Sequence, residues 1–192
     1  MYPWLRLIRV LFTVIGKPRI DLLGSARIQL RVWPNDLDLN LHVNNARYLA
    51  MADIARAHWA ARTGIFAIAR KKRALFIVGD VLAKFRHGLK AFENVEIETR
   101  LLGWDRKWGY VESRFIRNDR VIGIVAIRGV LQGAKGRVDA DTILGELSIS
   151  GSMPSPPLPT WTRDFHGACE AMSELLREEE FARGLRDQML AP

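Results

Sequence analysis

One long helical pattern among several strand patterns most constrains how this chain can fold. It runs from Ala46 to about Arg62, and six alanines between positions 50 and 61 keep it slim enough for a sheet to curl closely around it. Asn44 or Asn45 is the expected N-cap, and Gly64 favours a stop. The apolar stripe of this helix recurs every three or four residues, at Tyr48, Met51, Ala52, Ala55 and Trp59.

The remaining patterns predict one strand before this helix and four after it. The segment 26–33 alternates apolar and polar side chains. The later candidates are Ala74–Phe85, Asn94–Leu102, Trp108–Arg117 and Val121–Leu131. Short links join the last three, so an antiparallel meander is the natural pairing. A single helix must bury its stripe on the concave face of such a sheet. We therefore expect an α+β fold, an antiparallel sheet of about five strands wrapped around one long helix.

The same patterns divide the chain into four segments. Residues 1–25 form an apolar N-terminal segment, and residues 26–148 form the domain with the sheet and the long helix. Residues 149–162 read as a proline-rich linker, since Ser152 to Pro159 holds four of the eight prolines. Residues 163–192 are predicted to form a charge-rich C-terminal helix. The open sheet edge that remains predicts a homodimer or homotetramer.

The N-terminal segment is apolar from Trp4 to Ile15 with two interspersed arginines. Its apolar run is far too short to cross a bilayer, and the small-residue cleavage site of a signal peptide is missing. Two interpretations stay open. The segment packs as a helix on the domain or on a partner subunit, or it lies in a membrane interface. We expect a cytoplasmic protein, with residues 1–16 as a candidate peripheral contact with the inner face of a membrane.

Charge, missing motifs and cysteine content together narrow the functional classes that this chain can belong to. The chain has 192 residues and a net charge of +8, which suits anionic partners. Zinc-finger spacing, RNA-binding aromatic motifs and helix-turn-helix patterns are missing, so nucleic acid is not an expected partner. The four histidines are scattered without metal-ligand spacing, which predicts no metal site. The single cysteine, Cys169, excludes an internal disulfide and fits a reducing compartment.

A dense group of polar residues lies where the first strand gives way to the long helix. The run is Asp36-Leu-Asp38-Leu-Asn40-Leu41-His42-Val43-Asn44-Asn45-Ala-Arg-Tyr48. Such residues also serve as ordinary caps and turns. The exposed N–H groups of a helix start favour developing negative charge. A carboxylate beside them can attack a carbonyl, or direct water at it, and this arrangement suits acyl transfer.

This run resembles the signature of hot-dog fold acyl-CoA thioesterases of the 4-hydroxybenzoyl-CoA thioesterase type, roughly Asp-x-Asp-x-x-Gly-His-Val-Asn-Asn-x-x-Tyr. The element order agrees over about residues 26 to 133. The stretch Arg31-Val-Trp-Pro-Asn-Asp-Leu-Asp38 is also similar to the branch of thioesterase superfamily member 6-like proteins. The resemblance implies hydrolysis of an acyl-CoA thioester to a carboxylic acid and free coenzyme A. Coenzyme A enters as part of the substrate, and no separate cofactor is implied.

The resemblance also assigns roles to residues. Asp38 would act as nucleophile or as general base. The expected catalytic residues are Asp38, His42 and Asn45, and the expected substrate-binding residues are Asn44, Ala46, Tyr48 and Met51. The N–H groups near Asn45 and Ala46 would stabilise the oxyanion. The acyl chain would lie in an apolar slot beside the helix, with its length limited by Met51 or Trp59.

One position departs from the signature, and it keeps alternatives open. Leu41 stands where the pattern has glycine, and glycine allows backbone conformations that leucine resists. The alternative is a catalytically inactive, membrane-associated acyl-CoA-binding hot-dog protein. A hydratase of the same fold fits less well, because His42 follows Asp38 by four residues where that signature needs five.

Overall fold

The computed structural model describes residues 3–134, 136–147 and 153–183. The chain divides into two compact units, Met1–Pro156 and Pro157–Pro192. The helices of the first unit are α1 (Trp4–Phe12), α2 (Asn45–Thr63), α3 (Ile65–Lys71) and α4 (Ala140–Glu146). Its strands are β1 (Ala26–Arg31), β2 (Ala74–Phe85), β3 (Asn94–Trp104), β4 (Gly109–Arg117), β5 (Arg120–Gly133) and β6 (Gly136–Val138). The second unit contains α5 (Thr160–Ala182).

All the strands form one antiparallel sheet with the order β1-β3-β4-β5-β2, and β6 pairs with β5. The predicted meander of β3, β4 and β5 is confirmed. The chain crosses from β1 through α2 to β2 at the opposite edge of the sheet, so the long helix passes over the sheet face. This is the α+β arrangement that the patterns predicted, and it agrees with the hot-dog fold that the resemblance implies.

The core lies between α2 and the concave face of the sheet. Every residue of the predicted stripe is buried: Tyr48, Met51, Ala52, Ala55 and Trp59. Burial of a large apolar side chain contributes about 1.5 to 3 kcal/mol, so this stripe is a main source of stability. The indole Nε1 of Trp59 donates a hydrogen bond to the carbonyl of Gly24 at 3.0 Å, which satisfies its one polar atom. Gly64 ends α2 with a φ of 89°, a conformation that glycine adopts without steric cost.

Several boundaries differ from the sequence patterns. The helix α3 and the strand β6 were not predicted, because both are too short to show a period of their own. The helix α5 begins at Thr160, inside the segment 149–162 that was predicted to be linker and ahead of the predicted start at 163. The predicted continuation of this helix over residues 184–192 lies outside the described residues. The strand β3 continues past Leu102 to Trp104 through an irregularity between Leu101 and Gly103.

The N-terminal segment forms a helix that is apolar on two sides. Val10 is buried in the core, and Leu7 packs against it. The side chains of Trp4, Leu5, Ile8 and Phe12 are exposed on the opposite side. Among the described residues, no helix combines the length and the apolar character that crossing a bilayer requires.

His58 of α2 is a buried titratable group. Its side chain is 2% exposed, and its Nδ1 has no hydrogen-bond partner among the described residues. Burial lowers the pKa of His58 to about 4, with smaller contributions from the charges of Arg62 and Lys17. The folded protein therefore holds this imidazole in its neutral form at neutral pH.

This burial predicts a pH-dependent stability. In the unfolded chain His58 takes up a proton near pH 6.5, whereas in the folded chain it stays neutral until about pH 4. The free energy of unfolding should therefore fall as the pH drops from about 6.5 to 4, by up to about 3 kcal/mol from this group. Denaturant titrations of His58→Leu should show a smaller fall in this window. An unchanged pH profile in His58→Leu would contradict the assignment.

Candidate active site

A tight turn carries Asp38 between β1 and α2. An isolated antiparallel bridge pairs Leu37 with Val43 and closes the turn at its base. Within it, the N–H of Asp38 donates to the carbonyl of His42 at 2.9 Å, and the N–H of Leu41 donates to the carbonyl of Asp38 at 3.0 Å. The N–H of Asn40 donates to Asp38 Oδ1 at 2.8 Å. These bonds hold the Asp38 carboxylate in a defined position.

Leu41 adopts the conformation that the signature assigns to glycine. Its φ is 56°, in the left-handed region, and its side chain is 71% exposed. A side chain in this region costs about 1 to 2 kcal/mol, and the surrounding bonds of the turn offset this strain. The backbone of the turn therefore accommodates leucine at the position where the signature has glycine. The leucine side chain is exposed and takes no part in the core.

The two acids of the Asp-x-Asp pair have different environments. Asp36 is 2% exposed and accepts from Arg6 Nη1 at 3.0 Å, from Arg6 Nη2 at 2.6 Å and from the Trp33 N–H at 2.9 Å. Asp38 is half-buried, and its Oδ2 accepts no hydrogen bond from a described residue. Asp36 is thus a structural ion-pair partner, whereas Asp38 forms no ion pair with a described residue. The role of Arg6 was not predicted from the sequence, although an arginine in an apolar run is itself a sign of a buried partner.

His42 lies on the surface beside Gly88. Its imidazole packs so closely that a Cβ on Gly88 would lie 2.4 Å from His42 Cδ2. Glycine is required at position 88 for this contact, since any side chain would displace the ring. The carbonyl of Gly88 accepts from Arg117 Nη1 at 3.2 Å, which holds the segment under the imidazole. Gly88 could not be predicted from the sequence, because His42, the residue it contacts, is distant along the chain.

The N-terminus of α2 follows the turn directly. Asn44 caps the helix, with its Oδ1 accepting from the Ala46 N–H at 2.9 Å and its own N–H donating to the Asp36 carbonyl at 2.9 Å. The Ala46 N–H is therefore engaged by the cap. The N–H of Asn45 is the first of the helix and has no acceptor within it. Asn45 and Ala46 are exposed, so this end of the helix is open to solvent.

Two of the expected substrate-binding residues lie in the core of the single chain. Tyr48 is buried, and its ring centroid lies 5.0 Å from those of Phe85 and Phe115. Burial is the main cause of a raised pKa for Tyr48. Met51 is buried as well, under the sheet. Both residues follow the helical stripe, and the stripe faces inward. In the single chain neither side chain is exposed, and their expected roles in substrate binding stay predictions.

A separate apolar cavity of about 340 Å³ lies along the C-terminal half of α2. Aliphatic residues line it together with five aromatic side chains: Trp59, Phe66, Phe76, Trp104 and Trp108. Asp53 and Arg56 form an ion pair in its lining, and the Arg56 guanidinium lies 5.6 Å from the centroid of the Phe76 ring. Trp59 lines the cavity and Met51 does not. Asp38, His42 and Asn45 are not among the lining residues either, so acid and cavity lie towards opposite ends of α2.

The strand β2 connects these two regions along one edge of the sheet. Its end at Phe85 contacts Tyr48 near the start of α2, and its beginning at Leu75 and Phe76 lines the cavity. Within the described residues, only β5 pairs with it, so its second edge is unpaired. Large apolar side chains are exposed along the strand: Leu75, Phe76, Ile77, Val81, Leu82 and Phe85. An exposed apolar edge of this kind is a template for pairing with another chain.

Several known proteins are similar to this chain in sequence or in fold. The profile of the thioesterase-like superfamily matches residues 32–165. Protein THEM6 of Danio rerio is 36% identical over 120 residues, which are 61% of this chain and 59% of that protein. A probable thioesterase of Saccharomyces cerevisiae is 31% identical over 83 residues, which are 43% of this chain and 36% of that protein. The matched region therefore spans less than two thirds of either relative.

Solved structures confirm the fold class. The structure of 4-hydroxybenzoyl-CoA thioesterase from Pseudomonas sp. strain CBS-3 has a TM-score of 0.55 to this chain at 15% sequence identity. The alignment covers 64% of this chain and 98% of that chain. At this identity the likeness shows the shared hot-dog fold.

Proposed function

Because this chain belongs to the thioesterase-like superfamily, we propose that it hydrolyses acyl-CoA thioesters to a carboxylic acid and free coenzyme A. The observation that carries the proposal is the division of labour between the two acids. Asp36 is engaged in a buried ion pair, whereas Asp38 has an oxygen that no described residue hydrogen-bonds, on a turn next to the open end of a helix. A carboxylate in this position can activate water or attack a carbonyl itself.

The proposed reaction uses the turn and the helix end together. The thioester carbonyl lies against the start of α2, and the N–H of Asn45 stabilises the negative charge that develops on its oxygen. Asp38 takes a proton from water as the water oxygen attacks the carbonyl carbon. The carbon–sulfur bond then breaks, and the leaving thiolate of coenzyme A takes the proton from Asp38, which releases free thiol and restores the carboxylate. His42 positions the thioester from the rim of the site. Attack by Asp38 itself would instead form an anhydride that water then hydrolyses.

We propose that the cavity holds the acyl group and that a second copy of the chain brings it to Asp38. Antiparallel pairing of two β2 edges would bring the Phe85 end of one strand next to the Leu75 end of the other. The Asp38 turn of one protomer would then face the cavity of its partner. The exposed apolar side chains of β2 support this pairing. Apolar walls of tryptophan and phenylalanine suit an aliphatic or aromatic acyl group.

Replacement of Asp38 by asparagine tests the reaction directly. The Asp38→Asn variant keeps the shape of the turn but cannot accept a proton, so the rate of thiol release from acyl-CoA should fall by about 10²- to 10⁴-fold. Its melting temperature should stay near that of the wild type. Asp119→Asn, an acid-to-amide change in the β4–β5 turn, is the matched control and should retain activity. Near-normal turnover in Asp38→Asn would remove this residue from the mechanism.

The structural acid predicts the opposite pattern. Asp36→Asn leaves Arg6 without its buried counter-charge and should lower the free energy of unfolding by about 3 kcal/mol. Denaturant unfolding of Asp36→Asn beside Asp38→Asn measures this difference. Equal stability of the two variants would contradict the assignment of Asp36 to the fold.

Filling the cavity should change the choice of substrate. Ala60 lines the cavity on α2, and Ala60→Phe would shorten the space for the acyl group. We expect kcat/KM for the longest accepted acyl-CoA to fall at least about tenfold while that for short acyl-CoAs changes little. Ala67→Phe places the same ring on the exposed side of α3 and is the control. A uniform loss across the acyl-CoA panel, or no change, would place the acyl group elsewhere.

Disrupting the β2 edge should separate the protomers. Ile77 and Val81 are exposed on β2, and a double change to lysine places four like charges across the proposed two-fold interface. Light scattering should then report a monomer, and thiol release should fall because the cavity of the partner is lost. Leu175→Lys with Leu176→Lys alters exposed residues of α5 and serves as control. A wild-type protein that is a fully active monomer would refute the shared site.

A further inference from the structure

The N-terminal segment presents an exposed apolar surface, which we call the outer face of α1. It consists of Trp4, Leu5, Ile8, Phe12 and Ile15, whose side chains are 62%, 85%, 48%, 66% and 72% exposed. An α-helix turns about 100° per residue, so its members within α1, Trp4, Leu5, Ile8 and Phe12, fall within about 100° of one another around the axis. Contiguous apolar surfaces of this kind mark interaction sites.

The opposite side of α1 is firmly attached to the domain. Val10 is buried and Leu7 packs against the core. Arg6 donates two hydrogen bonds to Asp36, at 3.0 Å and 2.6 Å, and a third to the carbonyl of Arg31 at 3.1 Å. Rotation of α1 to bury its outer face would break the ion pair and expose Val10. The outer face therefore stays available for another partner.

The charges around this face favour an anionic partner. Residues 4 to 20 contain four basic side chains, Arg6, Arg9, Lys17 and Arg19, and no acidic one. Arg6 faces inward to Asp36, but Arg9, Lys17 and Arg19 are exposed. Self-pairing of the outer face with a second copy would bring these like charges together, and Asp21 is the one acid that adjoins them in the chain. An anionic lipid surface supplies the opposite charge over the whole segment and accepts apolar side chains beneath it.

We propose that the outer face of α1 docks the protein onto an anionic lipid bilayer. The nine residues of α1 extend about 14 Å, less than half the thickness of about 30 Å of a bilayer core, so the helix would lie in the plane of the interface. Leu5, Ile8 and Phe12 would enter the boundary of headgroups and acyl chains. Trp4 would sit at headgroup level, where its amphipathic indole is favoured.

The ion pair that anchors α1 lies close in the chain to the Asp38 turn. Asp36, which anchors α1 through Arg6, lies two residues before Asp38 in the chain. The anchoring ion pair thus connects the lipid-binding helix to the turn that carries the proposed catalytic acid. Docking goes beyond the proposed hydrolysis and does not depend on it, because lipid binding needs no turnover.

Co-sedimentation of the full chain with vesicles tests the proposal. Vesicles of phosphatidylcholine and phosphatidylglycerol in equal amounts are compared with vesicles of phosphatidylcholine alone. The wild type should bind the anionic vesicles and bind the neutral ones at least about tenfold more weakly. Leu5→Glu with Phe12→Glu should lower binding to anionic vesicles at least about tenfold. Met172→Glu with Leu175→Glu, two exposed apolar residues of α5, is the matched control and should bind like the wild type.

A second variant keeps the test decisive if the first one folds poorly. Arg9→Glu with Lys17→Glu leaves the apolar residues in place and should weaken binding to anionic vesicles, with thermal unfolding like that of the wild type. Wild-type protein that does not sediment with anionic vesicles would overturn the proposal, and so would equal binding to both vesicle types. Unchanged vesicle binding in the Leu5 and Phe12 double variant would also overturn it. A dimer lost in that variant, without vesicle binding, would show that a second copy covers the face.

Discussion

A single buried carboxylate, Asp36, organises the region on which the proposed chemistry depends. Its side chain accepts hydrogen bonds from Arg6 of α1 and from the N–H of Trp33 after β1, and its carbonyl accepts from the N–H of Asn44, the cap of α2. One residue thereby joins the N-terminal helix, the end of the first strand and the start of the long helix. The turn with Asp38 is held between these fixed points. Because a buried charge is stable only when paired, these elements depend on one another.

The separation of structural and chemical roles follows from this anchor. Asp36 forms the ion pair that stabilises the fold, whereas Asp38 is half-buried and one of its oxygens has no hydrogen bond from a described residue. The strain of Leu41 in the left-handed region is tolerated because the bridge and the hydrogen bonds of the turn determine its backbone path. The large apolar cavity lies away from this acid within one chain. Its position, together with the exposed edge of β2, supports a site that two protomers complete.

Most of the sheet and the long helix could be predicted, because their patterns repeat over many residues. The meander of β3, β4 and β5 and the inward stripe of α2 carry a period of two or of about 3.6 that needs no tertiary information. The short α3 and β6 have too few residues to show a period. The packing of His42 on Gly88 could not be predicted for a different reason. The two residues are 46 positions apart in the sequence, and only the folded chain brings them together.

By itself, the sequence determined the fold class, an asparagine cap at position 44 or 45 and the resemblance to hot-dog thioesterases, since these depend on local spacing and residue type. Only the tertiary structure decided which acid of the Asp-x-Asp pair is buried, because that depends on Arg6, thirty residues from Asp36. It likewise decided that the cavity lies at the other end of α2 from Asp38. Ion pairing between distant residues is a property of the packed chain, and the spacing of residues along the sequence does not reveal it.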